Sequence, residues 1–229
     1  MDGDYLERYR SLFDQFDVVA AFWVNIQLTL AAGLIALVLG TALAVMRISP
    51  APSLRWAGST YVTLVRNTPL TVIIVFCVLG LWGQLGITFS DDFNRNFFWL
   101  AVLGLAVYHA AFVCEALRSG VNTVPVGQAE AARAIGLGFV ASARLVILPQ
   151  AFRGAVAPLG NVLIALVKNS TVAAAGSVAE ASGLMAEMIE FRPDVILAIF
   201  FTFAFGFVLL VVPIGLATTS LSRRWTVAR

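Results

Sequence analysis

Two cations stand inside long apolar runs of this 229-residue chain, Arg66 and Lys168, and the carboxylate of Glu115 stands in a third run. A charge at membrane depth is costly and by default marks a functional site. Each cation opens a short polar cluster, Arg66-Asn67-Thr68-Pro69 and Lys168-Asn169-Ser170-Thr171. At about 1.5 Å per helical residue Lys168 lies about 21 Å from Gly154, where its run begins, too deep for easy snorkelling. Pro69 removes a backbone donor, and Asn169, Ser170 and Thr171 have low helix propensity, so both runs are expected to carry irregular backbone lining a cavity. Polar groups there suit a zwitterion. Arg66, Thr68, Glu115, Lys168, Asn169, Ser170 and Thr171 are therefore the candidate substrate-pathway residues. The structural alternative is an ion pair of Lys168 with Glu115 or Glu180. Glu115 itself has three candidate partners by spacing: Arg118, Lys168 or a substrate ammonium.

The elements that must position these groups are membrane helices. Hydrophobic residues make up 60% of the chain and charged ones only 12%, far from the balance of a soluble domain. Five runs reach the roughly 20 residues that a bilayer requires. They cover about 18–46, 56–83, 96–117, 154–179 and 195–221, in a single all-α transmembrane domain that fills the chain. The second is interrupted at Arg66-Asn67-Thr68-Pro69 and the fourth at Lys168-Asn169-Ser170-Thr171. Residues 1–17 carry five carboxylates, the opposite of a basic signal-peptide start, so the first run is expected to be retained. Cys77 and Cys114 lie in apolar runs without metal-ligand spacing and read as small core residues, so no metal is expected.

The segment at 124–152, VPVGQAEAARAIGLGFVASARLVILPQAF, breaks this apolar pattern. Its Ala-rich start favours helix, Gly136 and Gly138 permit a sharp turn, and Pro149 stops a second helix. Two short helices outside the membrane are expected. The face of this segment carries Arg47, Arg55, Arg118, Arg133, Arg144, Arg153, Arg223, Arg224 and Arg229, with Glu130 as its main acid. The opposite face holds Arg8, Arg10, Arg95 and Arg192 against ten carboxylates. The positive-inside bias makes the segment and the C-terminus cytoplasmic and the N-terminus external.

Glu130-Ala131-Ala132, three residues, Gly136, nine residues, Val146, one residue and Leu148-Pro149 resemble the "EAA" loop of permease subunits in bacterial ATP-binding-cassette (ABC) importers. Val146 stands where Ile is usual. The resemblance implies a type I importer fold in which this loop is the coupling helix, docked in a groove of a separate ATPase. Arg66-Asn67-Thr68-Pro69-Leu70, Glu115-x-x-Arg118-x-Gly120, Pro125-x-Gly127-Gln128 and Lys168-Asn169-Ser170-Thr171 are similar to the polar amino-acid branch, which includes histidine, glutamine, arginine and glutamate importers. Cys114 and Ser119 replace the usual Ala and Gly. Length, the acidic N-terminus and the Lys-Asn-Ser-Thr form look most like the glutamate-uptake permeases of actinobacteria.

The resemblance implies a multi-pass subunit of the bacterial cytoplasmic membrane that imports a polar amino acid, L-glutamate first, with glutamine, arginine or another as the alternative. Its implied partners are an ABC ATPase dimer, a second permease subunit of the same or a homologous kind, an extracellular substrate-binding protein and the bilayer. Nucleic acid is not among them. Gly136-Leu137-Gly138 follows no strand and has no Gly-Lys-Ser/Thr, so the chain is expected to hold no ATP, no cofactor and no catalytic residue. A rival from another class is an ion-gradient-driven carrier or channel, which calls for coupling carboxylates within the spans. Only Glu115 and Glu180 come near. A scaffold that transports nothing would leave Arg66 and Lys168 unexplained.

Overall fold

Uncharged runs longer than a bilayer is thick become single long helices in the computed structural model, which describes residues 3–225 and has no strand among them. α1 covers Gly3–Gln15 and α2 covers Val18–Ile48, with Asp17 capping α2 by accepting from the Ala20 N–H at 2.9 Å. α3 is Pro52–Arg66, opened by a proline at its first turn, where the missing N–H has no intrahelical partner to lose. α4 is Leu70–Val75 and continues as a π-helical stretch, Phe76–Trp82. α5 is Phe93–Val121, and Asp92 caps it through the Arg95 N–H at 2.8 Å. α6 (Val126–Ala134) and α7 (Phe139–Ser142) follow, then a π turn at Ala143–Ile147 that leads into α8 (Leu148–Gly154). α9 is Val156–Asn169 and passes into a 3-10 stretch, Ser170–Gly176. α10 is Ala181–Phe191, and α11 is Ile196–Trp225.

Four helical segments are long and apolar enough to cross a membrane: Val18–Ile48, Phe93–Val121, Val156–Gly176 and Pro193–Trp225. A fifth crossing exists when α3 and Leu70–Trp82 count together, because the chain breaks between them at Asn67–Pro69. The second apolar run is thus two helices rather than one rod. Asn67 caps α3, its amide donating to the Thr63 carbonyl at 2.8 Å, and the Thr68 hydroxyl takes the Leu64 carbonyl at 2.9 Å. Short polar side chains that satisfy the last carbonyls let the helix end before Pro69. The sequence does not announce two of the helices, α1 and α10. Each carries its acids on a short amphipathic segment, which reads as a polar loop when only long apolar runs are sought.

The chain folds as two compact units, each assembled from segments distant in sequence. The first comprises residues up to Ala31, Leu70–Leu105 and Leu166–Pro213. Its core joins Leu12 of α1, Ala21 of α2, Ala181 and Met188 of α10, and Ile199 and Phe203 of α11. Phe22 stacks on Phe203 at 5.7 Å, and Arg8 pairs with Asp194 at 3.2 Å. The second unit comprises Ala32–Pro69, Ala106–Ala165 and residues from Ile214 onward. Its core is built of small residues, Ala36, Ala44, Val62, Ala111, Cys114 and Ala155, with Leu117. Small side chains allow close helix approach where lipid gives no hydrophobic drive for packing. Gly120 is the clearest case, because a Cβ there would overlap the Ala151 carbonyl oxygen of α8.

Candidate functional site

The polar segment and three of the pathway candidates, Arg66, Thr68 and Glu115, belong to the second unit. α6 ends in a complete Schellman motif. The Leu137 N–H reaches back to the Ala132 carbonyl at 3.0 Å and the Gly136 N–H to the Arg133 carbonyl at 2.9 Å. Closing both bonds requires a left-handed residue after the cap, and Gly136 has φ +83°. The spacing from Ala132 to Gly136 is thus the spacing of a helix stop. Within the chain a Cβ at Gly136 meets nothing within 4 Å, so the positive φ is the local reason for glycine. Gly138 sits in ordinary extended backbone, φ −67°, ψ 168°, and heads α7.

Pro149 does not end the helix that carries it. Leu148 closes its bond five residues back, to Ala143, so the π turn widens the helix just ahead of the proline ring. The helix then runs on to Gly154. Along the segment Glu130 and Ala131 are exposed, Ala132 is buried, Leu148 is half-buried and Pro149 is exposed. Val126, Ile135, Val140 and Leu145 are between 64% and 77% exposed, and Arg133 and Arg144 beside them are exposed too. A short element that shows apolar side chains along with exposed arginines has the character of a docking surface.

Glu115 on α5 sits among three guanidinium groups. Arg47 is hydrogen-bonded to it, and the ion-pair distances to Arg66 and Arg118 are 3.9 and 4.0 Å. Arg47 also reaches the Cys114 sulfur at 3.8 Å, and Arg66 lies 5.7 Å from the Phe112 ring centre. The Glu115 side chain keeps 31% exposure, Arg66 47% and Arg118 49%, so this cluster stays open while Arg47 is nearly enclosed at 13%. The sequence points to Arg118 by its place three residues on. It does not point to Arg47, because 67 residues separate Arg47 from the sulfur it touches and spacing alone shows only neighbours on one helix.

Lys168, Asn169, Ser170 and Thr171 belong to the first unit. The expected irregularity is there, α-helix giving way to 3-10 at Ser170. The Ser170 hydroxyl donates to the Val167 carbonyl and the Thr171 hydroxyl to the Lys168 carbonyl, both at 2.7 Å. Lys168 is exposed and has no ion pair among the described residues. Neither of its considered partners is available as such, since Glu115 takes Arg47 and Glu180 takes neutral donors. Ser170 is fully buried together with Asn25 and Glu180, two residues that local spacing could not bring to it.

The family described as "Binding-protein-dependent transport system inner membrane component" matches residues 35–227. This chain belongs to that family. It is 47% identical to the glutamate transport system permease protein GluC of Corynebacterium glutamicum, over 93% of this chain and 95% of that one. It is 33% identical to a probable glutamine ABC transporter permease protein of Bacillus subtilis, over 93% and 95%. Among solved structures, the crystal structure of an amino acid ABC transporter with histidines matches with TM-score 0.78 and 25% identity, over 98% and 99% of the two chains. The inward-facing methionine transporter MetNI shares the fold at TM-score 0.71 and 22% identity, over 92% and 96%. The chain is therefore a multi-pass inner-membrane permease subunit of an ABC importer. ATP is hydrolysed by a separate subunit, and membership implies an ATPase and a binding protein as partners.

Proposed function

We propose that this permease imports L-glutamate, with glutamine as the second choice among polar amino acids. The observation that carries the reading is 47% identity to a glutamate transport permease across nearly the whole of both chains. The subunit forms half of a membrane dimer, paired with a copy of itself or with a homologous permease. Two ATPases sit on the side of the 124–152 segment and an external binding protein on the other. The N-terminus is outside and the C-terminus cytoplasmic, a reading the arginine bias supports. Glu130, Ala131, Ala132, Gly136, Leu148 and Pro149 form the lever that turns closure of the ATPase pair into movement of the membrane helices. The exposed apolar side chains around Gly136 support that role, because docking would cover them. Arg66, Thr68, Glu115, Lys168, Asn169, Ser170 and Thr171 line or shape the cargo pathway.

Vesicles carrying the purified complex, with labelled glutamate on the binding-protein side and either ATP or an ion gradient as the sole drive, test the reading. Uptake with ATP alone is expected. Uptake with a gradient alone would refute it. Gly136→Arg and Glu130→Lys are expected to insert into the membrane normally and to abolish transport. Both mutants copurifying with an ATPase that hydrolyses normally would count against the lever.

A further inference from the structure

Glu180 is a carboxylate with no exposed surface and no ion pair among the described residues. Its Oε2 accepts from Asn25 Nδ2 at 2.8 Å and from the Ser182 N–H at 2.9 Å, and its Oε1 accepts from the Gly183 N–H at 2.9 Å. Asn25, also without exposed surface, uses both ends of its amide. Its Oδ1 accepts from the Ala181 N–H at 2.9 Å, and its Nδ2 donates a second bond to the Ser170 hydroxyl at 2.8 Å. That hydroxyl passes the chain of bonds on to the Val167 carbonyl. One amide thus ties three segments of the first unit: the start of α2, the turn after α9 and the start of α10.

An acid and an amide sealed away from water are a costly way to fill space, and apolar side chains of similar volume would pack there at no desolvation cost. A fully satisfied polar network does what apolar packing does not, which is to specify a single geometry. The geometry specified here is that of Ser170. Its hydroxyl and that of Thr171 take the carbonyls of Val167 and Lys168, so the α-helix stops two residues after Val167 and the exposed Lys168 falls on its last turn.

We infer that Asn25 and Glu180 are positioning residues for import, acting through Ser170 to hold the last turn of α9 in the shape that presents Lys168 to the cargo. The inference rests on the proposed function for its cargo and for the place of Lys168 in the cargo pathway. Neither residue touches the cargo. They set where a residue that does so stands, much as groups behind a metal ligand fix its direction.

The test uses the complete complex of permease, ATPase and binding protein in vesicles, with glutamate uptake expressed per assembled complex. Asn25→Leu and Glu180→Gln are expected to lower maximal uptake about tenfold, the scale of one lost hydrogen bond to a charged group. Half-saturation by glutamate-loaded binding protein is expected to stay at the wild-type value, because docking is not disturbed. In a Lys168→Cys background, where Cys77 and Cys114 are buried, the rate of labelling by a polar maleimide is expected to change in the Asn25→Leu variant. Wild-type maximal uptake per complex together with a wild-type labelling rate, leaving only a lower melting temperature, would overturn the inference. If Asn25→Leu fails to assemble, Ser170→Ala carries the test, since it removes one hydroxyl from the same network. Its maximal uptake is expected to fall about threefold, and wild-type uptake would overturn the inference. A wild-type complex that imports no glutamate under ATP would strike the cargo assignment instead, and the labelling comparison would still decide the positioning role.

Discussion

Glu180 in the first unit has no exposed surface and is held by neutral N–H donors, whereas Glu115 in the second keeps 31% exposure and faces three guanidinium groups. The difference is one of purpose as well as surroundings. Neutral donors at 2.8 to 2.9 Å fix the direction of a carboxylate but cannot be exchanged for anything arriving from solution. Arginines that are half in solvent do the reverse. Their pairing with Glu115 is screened and adjustable, so another carboxylate could compete for Arg66 or Arg118. A sealed acid shapes the chain, and an open one shares its cations.

Substitutions can break this contrast. Asn25→Asp places a second carboxylate against Glu180 in the sealed site and is expected to cost about 3–5 kcal/mol, the scale of an uncompensated buried charge. Thermal unfolding of the detergent-solubilised permease measures it, and a melting temperature equal to wild type would erase the distinction. Glu115→Gln is expected to cost about 1–2 kcal/mol, because water and salt partly screen the arginines it leaves behind. Its deficit should shrink in high salt, while that of Asn25→Asp should not. Arg118→Gln removes only a 4.0 Å pair between exposed groups. It is expected to change stability by about 0.5 kcal/mol or less.

The smallest expected effect is a pH dependence. Burial pushes the Glu180 carboxyl up, offset in part by the bonds from Ser182, Asn25 and Gly183. A raised carboxyl contributes stability that is fully present below its unfolded value and is lost as pH rises through the folded one. Glu180→Gln lacks this titration. Its disadvantage in melting temperature relative to wild type is therefore expected to narrow as pH rises, and a gap that widens would show that the charged form is the favoured one.

The membrane helices are legible in the sequence because hydropathy acts along the chain. The breaks at Asn67–Pro69 and Ser170 are legible for the same reason, since Pro69 and the short polar residues act on their own turns. Glu130, Ala132 and Gly136 can be read as a loop with a turn because a Schellman stop is also local. Pro149 departs from expectation: a proline normally ends a helix, but a π turn ahead of it gives the ring room. The sealed network is invisible in the sequence for a different reason. Asn25 and Ser170 are 145 residues apart, and nothing in either neighbourhood marks one as the partner of the other. Arg47 reads in the sequence only as part of the charge bias between the two faces, and its bond to Glu115 needs the packing of α2 against α5 in the second unit.

With φ at +83° and open space within the chain where a Cβ would stand, Gly136 is selective for chirality before size as far as the turn itself is concerned. A D-alanine introduced there by chemical synthesis should keep the turn that L-alanine would strain. The 124–152 segment would then tolerate a mirror-image residue at its bend more readily than a natural one of the same size.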